Sequence, residues 1–174
     1  MSVAIVLVAI LPALLAAAAV FDLTSYTIPN IVPLAMIVLF IAFILTIAVN
    51  GHAMNWDKAG LHVLAGTIGL IAGMAMFAAG WVGGGDAKLF AVASLWLGWD
   101  SMFEYTLMAS ILGGVLTVAL LALRRISLPS LLTKQPWLAR LANPQAGVPY
   151  GVALSLAALL ILPDTQVFHL AAVS

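Results

Sequence analysis

The chain has 174 residues, 65% of them hydrophobic and only 7% Asp, Glu, Lys or Arg, where a soluble domain carries roughly 25% charge. With a mean hydropathy of +1.22, these proportions exclude a soluble monomer and a disordered chain and predict an all-α, polytopic membrane protein. Six basic residues balance six acidic ones and Cys is absent, which excludes a basic nucleic-acid-binding field, a disulfide framework, a thiolate zinc site and a cysteine nucleophile.

Six apolar stretches are predicted as spans. Val3–Phe21 is uncharged and long enough to cross a hydrocarbon core of roughly 30 Å. No Lys or Arg precedes it, so it lacks the positive region of a cleaved signal peptide. A polar turn, Ser25–Asn30, follows. Pro29 makes Ile28 extended, Asn30 stands where it can cap the next helix, and Pro33 falls in that helix's first turn. Ile31–Val49 and Leu61–Trp81 are the second and third spans. Ala87–Trp99 is a short fourth, rising about 20 Å, and it starts at the glycine-rich turn Gly83-Gly84-Gly85. Phe103–Leu123 is the fifth. The connection Arg124–Gly147, whose leucines suit a segment lying on the interface, leads to a short sixth, Val148–Leu162. With no repeat or composition break, residues 1–174 read as one membrane-embedded domain.

Arg124, Arg125, Lys134 and Arg140 are four of the six cations, and all fall in the connection between spans five and six. The positive-inside rule makes that connection cytoplasmic. Counting back, the turns Asp22–Asn30 and Gly83–Lys88 are cytoplasmic too, while Asp57, Asp100, Glu104 and Asp164 lie on the far side.

Asp22 and Asp86 stand apart from those four acids. Asp22 ends the first apolar run and Asp86 opens the fourth, so both are expected near membrane depth, where an ionisable residue is costly and functional by default. The three glycines are expected to unwind the chain through backbone angles other residues refuse, and to admit an extended substrate backbone. A Val at position 85 should then cost far more than an Ala at position 73, mid-helix. Two carboxyls in different environments hold their proton affinities apart. The ionised one takes a proton from water, which attacks a carbonyl, and the protonated one supports the oxyanion and donates to the leaving amine. This is aspartic peptidase chemistry and calls for no metal or cofactor. The same two residues also fit a proton- or cation-coupled carrier, or plain helix ends in a non-catalytic membrane subunit.

The residues carry a resemblance as well. Asp22 followed by Ile28-Pro29-Asn30, then Gly83-Gly84-Gly85-Asp86-Ala87-Lys88-Leu89, then Val148-Pro149-Tyr150-Gly151-Val152-Ala153-Leu154, resemble in order the three signature segments of the type IV prepilin peptidases. These are Gly-x-Gly-Asp membrane aspartic proteases. The resemblance implies that Asp22 and Asp86 are the catalytic aspartates. It implies cleavage of the leader from prepilin-like precursors at the cytoplasmic side of the inner membrane, with the precursor's apolar helix held in the lipid bilayer beside the site. The missing paired cysteines match the family's small form, which handles tight-adherence pilins or flagellin-like precursors, and argue against N-methyl transfer.

Other residues carry two readings each. Lys88 either contacts an acidic group of the substrate and steadies the aspartates, or snorkels to the interface. Tyr150 either lines the active cavity or anchors the interface. Gly69 and Gly73 form Gly-x-x-x-Gly, which serves a homodimer face or close packing within the chain. His52 and His62 lack a third ligand and make a poor metal site. His169 lies in a C-terminal tail. The five tryptophans, Trp56, Trp81, Trp96, Trp99 and Trp137, mostly suit interface anchors.

Overall fold

The computed structural model describes residues 2–50, 56–126 and 134–173, and its regular elements are all helices. In chain order they are α1 (Val3–Ser25), α2 (Ile31–Val49), α3 (Trp56–Ala78), α4 (Gly84–Leu97), α5 (Met102–Leu123), α6 (Pro136–Ala142), α7 (Tyr150–Ile161) and α8 (Gln166–Val173), with a 3-10 turn at Leu162–Asp164. His52 and the middle of the Arg124–Gly147 connection lie outside the described residues, as does the Trp56 side chain.

Four helices, α1, α2, α3 from Asp57, and α5, are long and apolar enough to cross a membrane. The pair Tyr150–Asp164 and Gln166–Val173, bent by 49°, makes a fifth if taken as one span. The expected count of six therefore resolves differently: α4, at 14 residues, is outside this set. Its character explains why it stands as a helix at all. From Asp86 to Leu97 only Lys88 is exposed and Leu95 half-buried, so α4 is a core helix wrapped by its neighbours. The expected C-terminal tail is α8, which packs back on α1 with Val167 and Ala171 buried.

The core runs where α1 packs on α2 and α7 and where α4 packs on α3 and α7. Leu11, Leu15, Met36, Phe43 and Leu89 are its fully buried centre. Trp96 belongs there too. It is 1% exposed, donates its indole N–H to the Met36 carbonyl at 3.0 Å and meets Phe40 edge-on. That corrects its assignment as an interface anchor; a buried indole needs such a partner. Trp81 and Trp99 remain exposed.

α3 packs almost wholly on α4, through glycines. A Cβ on Gly69 would lie 3.0 Å from Ser94 Oγ, and one on Gly73 3.0 Å from the Ala87 Cα. The Gly-x-x-x-Gly face is therefore filled within the chain, as small residues allow. α3 stops at a Schellman cap: Gly80 has φ +74°, its N–H bonds the Phe77 carbonyl and the Trp81 N–H bonds that of Met76, the arrangement a glycine just past a helix permits.

Candidate active site

Asp22 sits in the last turn of α1, which runs on past it to Ser25. The helix ends at Tyr26, whose φ of 56° is the only positive value on a non-glycine residue among those described. Its N–H closes the turn on the Asp22 carbonyl at 2.9 Å. A non-glycine residue in this region stores strain and persists where surroundings enforce it. Here the Arg140 guanidinium lies 5.8 Å over the Tyr26 ring and donates to the Thr24 carbonyl. Arg124 holds the Leu141 and Gly147 carbonyls, fastening α6 and the chain after it over this end of the bundle.

Asp86 occupies the third position of α4. Its Oδ2 accepts the Gly83 N–H at 3.2 Å, the reciprocal half of a capping box. Gly83 itself is extended at φ −72°, ψ 152°, and among the described glycines only Gly80 and Gly98 have positive φ. The expectation that three glycines unwind the chain through unusual angles is thus corrected: Gly84 and Gly85 are helical, and what position 85 requires is space. A Cβ there would lie 3.2 Å from the Ile28 Cβ and 3.3 Å from its backbone nitrogen. Gly84 meets only the Phe77 ring, at 3.5 Å, an ordinary contact.

The two segments meet at this end of the bundle. Ile28, held extended before Pro29, is buried against Gly85 and Gly151. Asn30 occupies the N-cap position of α2 but makes no side-chain cap. Its Oδ1 instead accepts from Lys88 Nζ at 2.8 Å, so the expected cap is replaced by a tie between the turn after Asp22 and the helix bearing Asp86. Lys88 is exposed and joins those two segments by that bond.

Gly151 completes the arrangement, and the residue-by-residue reading missed its part. Its N–H, at the start of α7, donates to Asp22 Oδ2 at 2.6 Å across 129 residues of chain. The Gly151 N–H is an orphan donor of a helix start, and Pro149 at the N-cap position makes no side-chain cap. A Cβ on Gly151 would fall 2.8 Å from Asp22 Oδ2 and 2.8 Å from Ile28 Cδ1, so only glycine lets α7 approach this closely. The available signal was the Pro149-Tyr150-Gly151 segment. Among the described residues, no cation bonds to either carboxyl, and no three His, Asp or Glu are grouped to hold a metal. Asp22 and Asp86 are 4% and 9% exposed.

A cleft of about 200 Å³ opens from Asp86 between α3, α4, α5 and α7. Phe90, Ser110 and Tyr150 line it. The Tyr150 ring lies against Gly113 and its hydroxyl is 3.4 Å from Thr117 Oγ1, so Tyr150 faces the cavity. The hydroxyls of Thr106 and Ser110 bond to carbonyls of their own helix, which leaves this wall small and without unmet polar demand.

Residues 9–118, more than half of the chain, match the model of the type IV leader peptidase family. No curated protein and no solved structure matches it. The chain is a multi-pass membrane protein with a leader-peptidase sequence, and it belongs to the type IV leader peptidase family.

Proposed function

We propose that the protein is an aspartic endopeptidase that removes the leader from prepilin-like precursors, with Asp22 and Asp86 as its catalytic pair. The observation that carries this reading is the meeting of two buried carboxyls at one end of the bundle, Asp22 on the Gly151 N–H that starts α7 and Asp86 in the first turn of α4, with Ile28 packed against both Gly151 and Gly85. Two interacting carboxyls share protons as a unit. With one ionised and one protonated, the ionised carboxylate draws a proton from a water between them as it attacks the scissile carbonyl. The protonated partner hydrogen-bonds the oxyanion and then delivers its proton to the departing amine.

The remaining site residues position these two. Gly83 orients Asp86, Gly85 admits Ile28, and Pro29, Asn30 and Lys88 hold the turn after Asp22 against α4. The precursor's apolar helix lies in the bilayer beside the site, and the cleft that starts at Asp86, with Tyr150 on its wall, admits side chains next to the scissile bond. The clustering of Arg124 and Arg140 at this end supports an active site facing the cytoplasm from the inner membrane, since cations favour that side. Membership of a peptidase family favours this reading over a carrier.

The test is direct. Purified protein in lipid is incubated with a prepilin, and the product's new N-terminus is sequenced. The reading expects loss of the leader at a single peptide bond, and an unprocessed precursor would overturn it.

A further inference from the structure

We propose that the cleft between α2, α3 and α4 binds one anionic phospholipid, with its headgroup on Lys88 and Asn30 and an acyl chain along the apolar walls below. The cleft has a volume of about 490 Å³ and excludes both aspartates. Lys88 and Asn30 stand at one end, and its walls include Leu34, Ile37, Leu70 and Leu95. The Thr67 hydroxyl in the wall already bonds the Val63 carbonyl, so the channel presents no unmet polar group to a hydrocarbon chain. Between Lys88 and Leu95 it follows α4 for about 10 Å at the helical rise.

Charge decides the occupant. Lys88 is exposed and its recorded contact is the neutral Asn30 oxygen. An ammonium has three donors, so two are free, and the Asn30 amide adds its own N–H groups. A cation above an apolar channel between membrane helices suits an acidic headgroup carrying acyl chains. The precursor helix is the poorer fit, because Asp86, Ala87 and Phe90 line the other cleft while Lys88, Ala91 and Leu95 line this one. At helical spacing these sets centre on different faces of α4, roughly 130° apart. Lipid and precursor thus bind on the two sides of the helix that carries Asp86, and the lipid braces it.

The experiment reads binding, not cleavage. The full chain in phosphatidylcholine nanodiscs is titrated with phosphatidylglycerol bearing a photoreactive acyl chain, and labelled peptides are mapped. Labelling is expected at Leu34, Ile37, Leu70 and Leu95, displaced by unlabelled phosphatidylglycerol and not by added phosphatidylcholine. Lys88→Gln should weaken binding about fivefold, the equivalent of one cation at an anionic surface, while Lys88→Arg and Asn30→Ala keep the charge and most of the affinity. Thr67→Trp, which fills the channel and leaves Lys88 in place, should also reduce labelling and covers the case in which Lys88→Gln does not fold. Equal labelling by a phosphatidylcholine probe, displacement by a prepilin, or full affinity in both Lys88→Gln and Thr67→Trp would overturn the proposal.

Discussion

At the end of the bundle holding Asp22 and Asp86, two buried carboxyls take their recorded hydrogen bonds from backbone N–H groups. At the opposite end, Lys58, Asp100, Asp164 and His169 share an open cleft of about 330 Å³ with His62. There His62, 3% exposed, places Nδ1 2.8 Å from the Leu95 carbonyl and lies beside Phe40. Gly98, with φ +81°, leaves the room, since a Cβ would come within 2.7 Å of the ring. Charges of both signs beside solvent are cheap and move little. Two carboxyls buried in an apolar interior cost free energy, and the close packing of Gly85, Gly151 and Ile28 holds them there. The difference separates polar groups set beside solvent from carboxyls buried on backbone donors, the pair proposed above to be catalytic.

The sharpest way to break this comparison is to exchange acids for amides at both ends. Asp22→Asn or Asp86→Asn should lower leader cleavage by at least ~10³-fold, because neither amide can act as general base. Asp100→Asn and Asp164→Asn should stay within about twofold of the parent. Single-turnover cleavage of a prepilin distinguishes the two pairs.

Next in size is the backbone that holds the carboxyls. Gly151→Ala should reduce cleavage by roughly 10²-fold, as displacements of about an ångström do at reacting groups. Gly114→Ala, where a Cβ meets nothing within 4 Å, should be silent. Specific activity per folded molecule is the measurement.

A smaller loss is expected at the α3–α4 contact. Gly73→Ala was expected from the sequence to cost far less than Gly85→Val, but its Cβ would press on Ala87, directly after Asp86. It should lower cleavage by about tenfold or less, still less than Gly85→Val. Equal activity of Gly73→Ala and the parent would show that α4 tolerates being pushed.

The smallest effect on activity belongs to the far end. His62→Leu removes a buried hydrogen bond and should lower stability by about 1–3 kcal/mol. Its thermal midpoint in detergent should fall while cleavage per folded molecule holds. Loss of cleavage without loss of stability would couple the two ends.

Much of this was legible in the sequence because lipid leaves few options. Long uncharged runs must be helices, and Ile31–Val49 matches α2 residue for residue. The two aspartates were legible as costly charges next to turn residues. What stayed hidden depends on contacts between distant segments. Hydropathy cannot tell that Trp96 is core, or that the short α4 is wrapped by protein rather than lipid. Asn30 was read as a cap by local propensity, but Lys88, 58 residues on, takes its oxygen. The role of Gly151 is a missing Cβ and a backbone N–H, which the Pro149-Tyr150-Gly151 segment marks without saying what they touch.

If Asp22 and Asp86 act as one unit, their substitutions are not additive, and a double-mutant cycle reads this. Single-turnover cleavage of a prepilin is measured for the parent, Asp22→Asn, Asp86→Asn and the double variant, each purified in lipid with its helical content verified. The account predicts that each single change removes nearly all activity and that the double variant is little worse than either. Substantial cleavage by either single variant, or losses that multiply in the double variant, would contradict it.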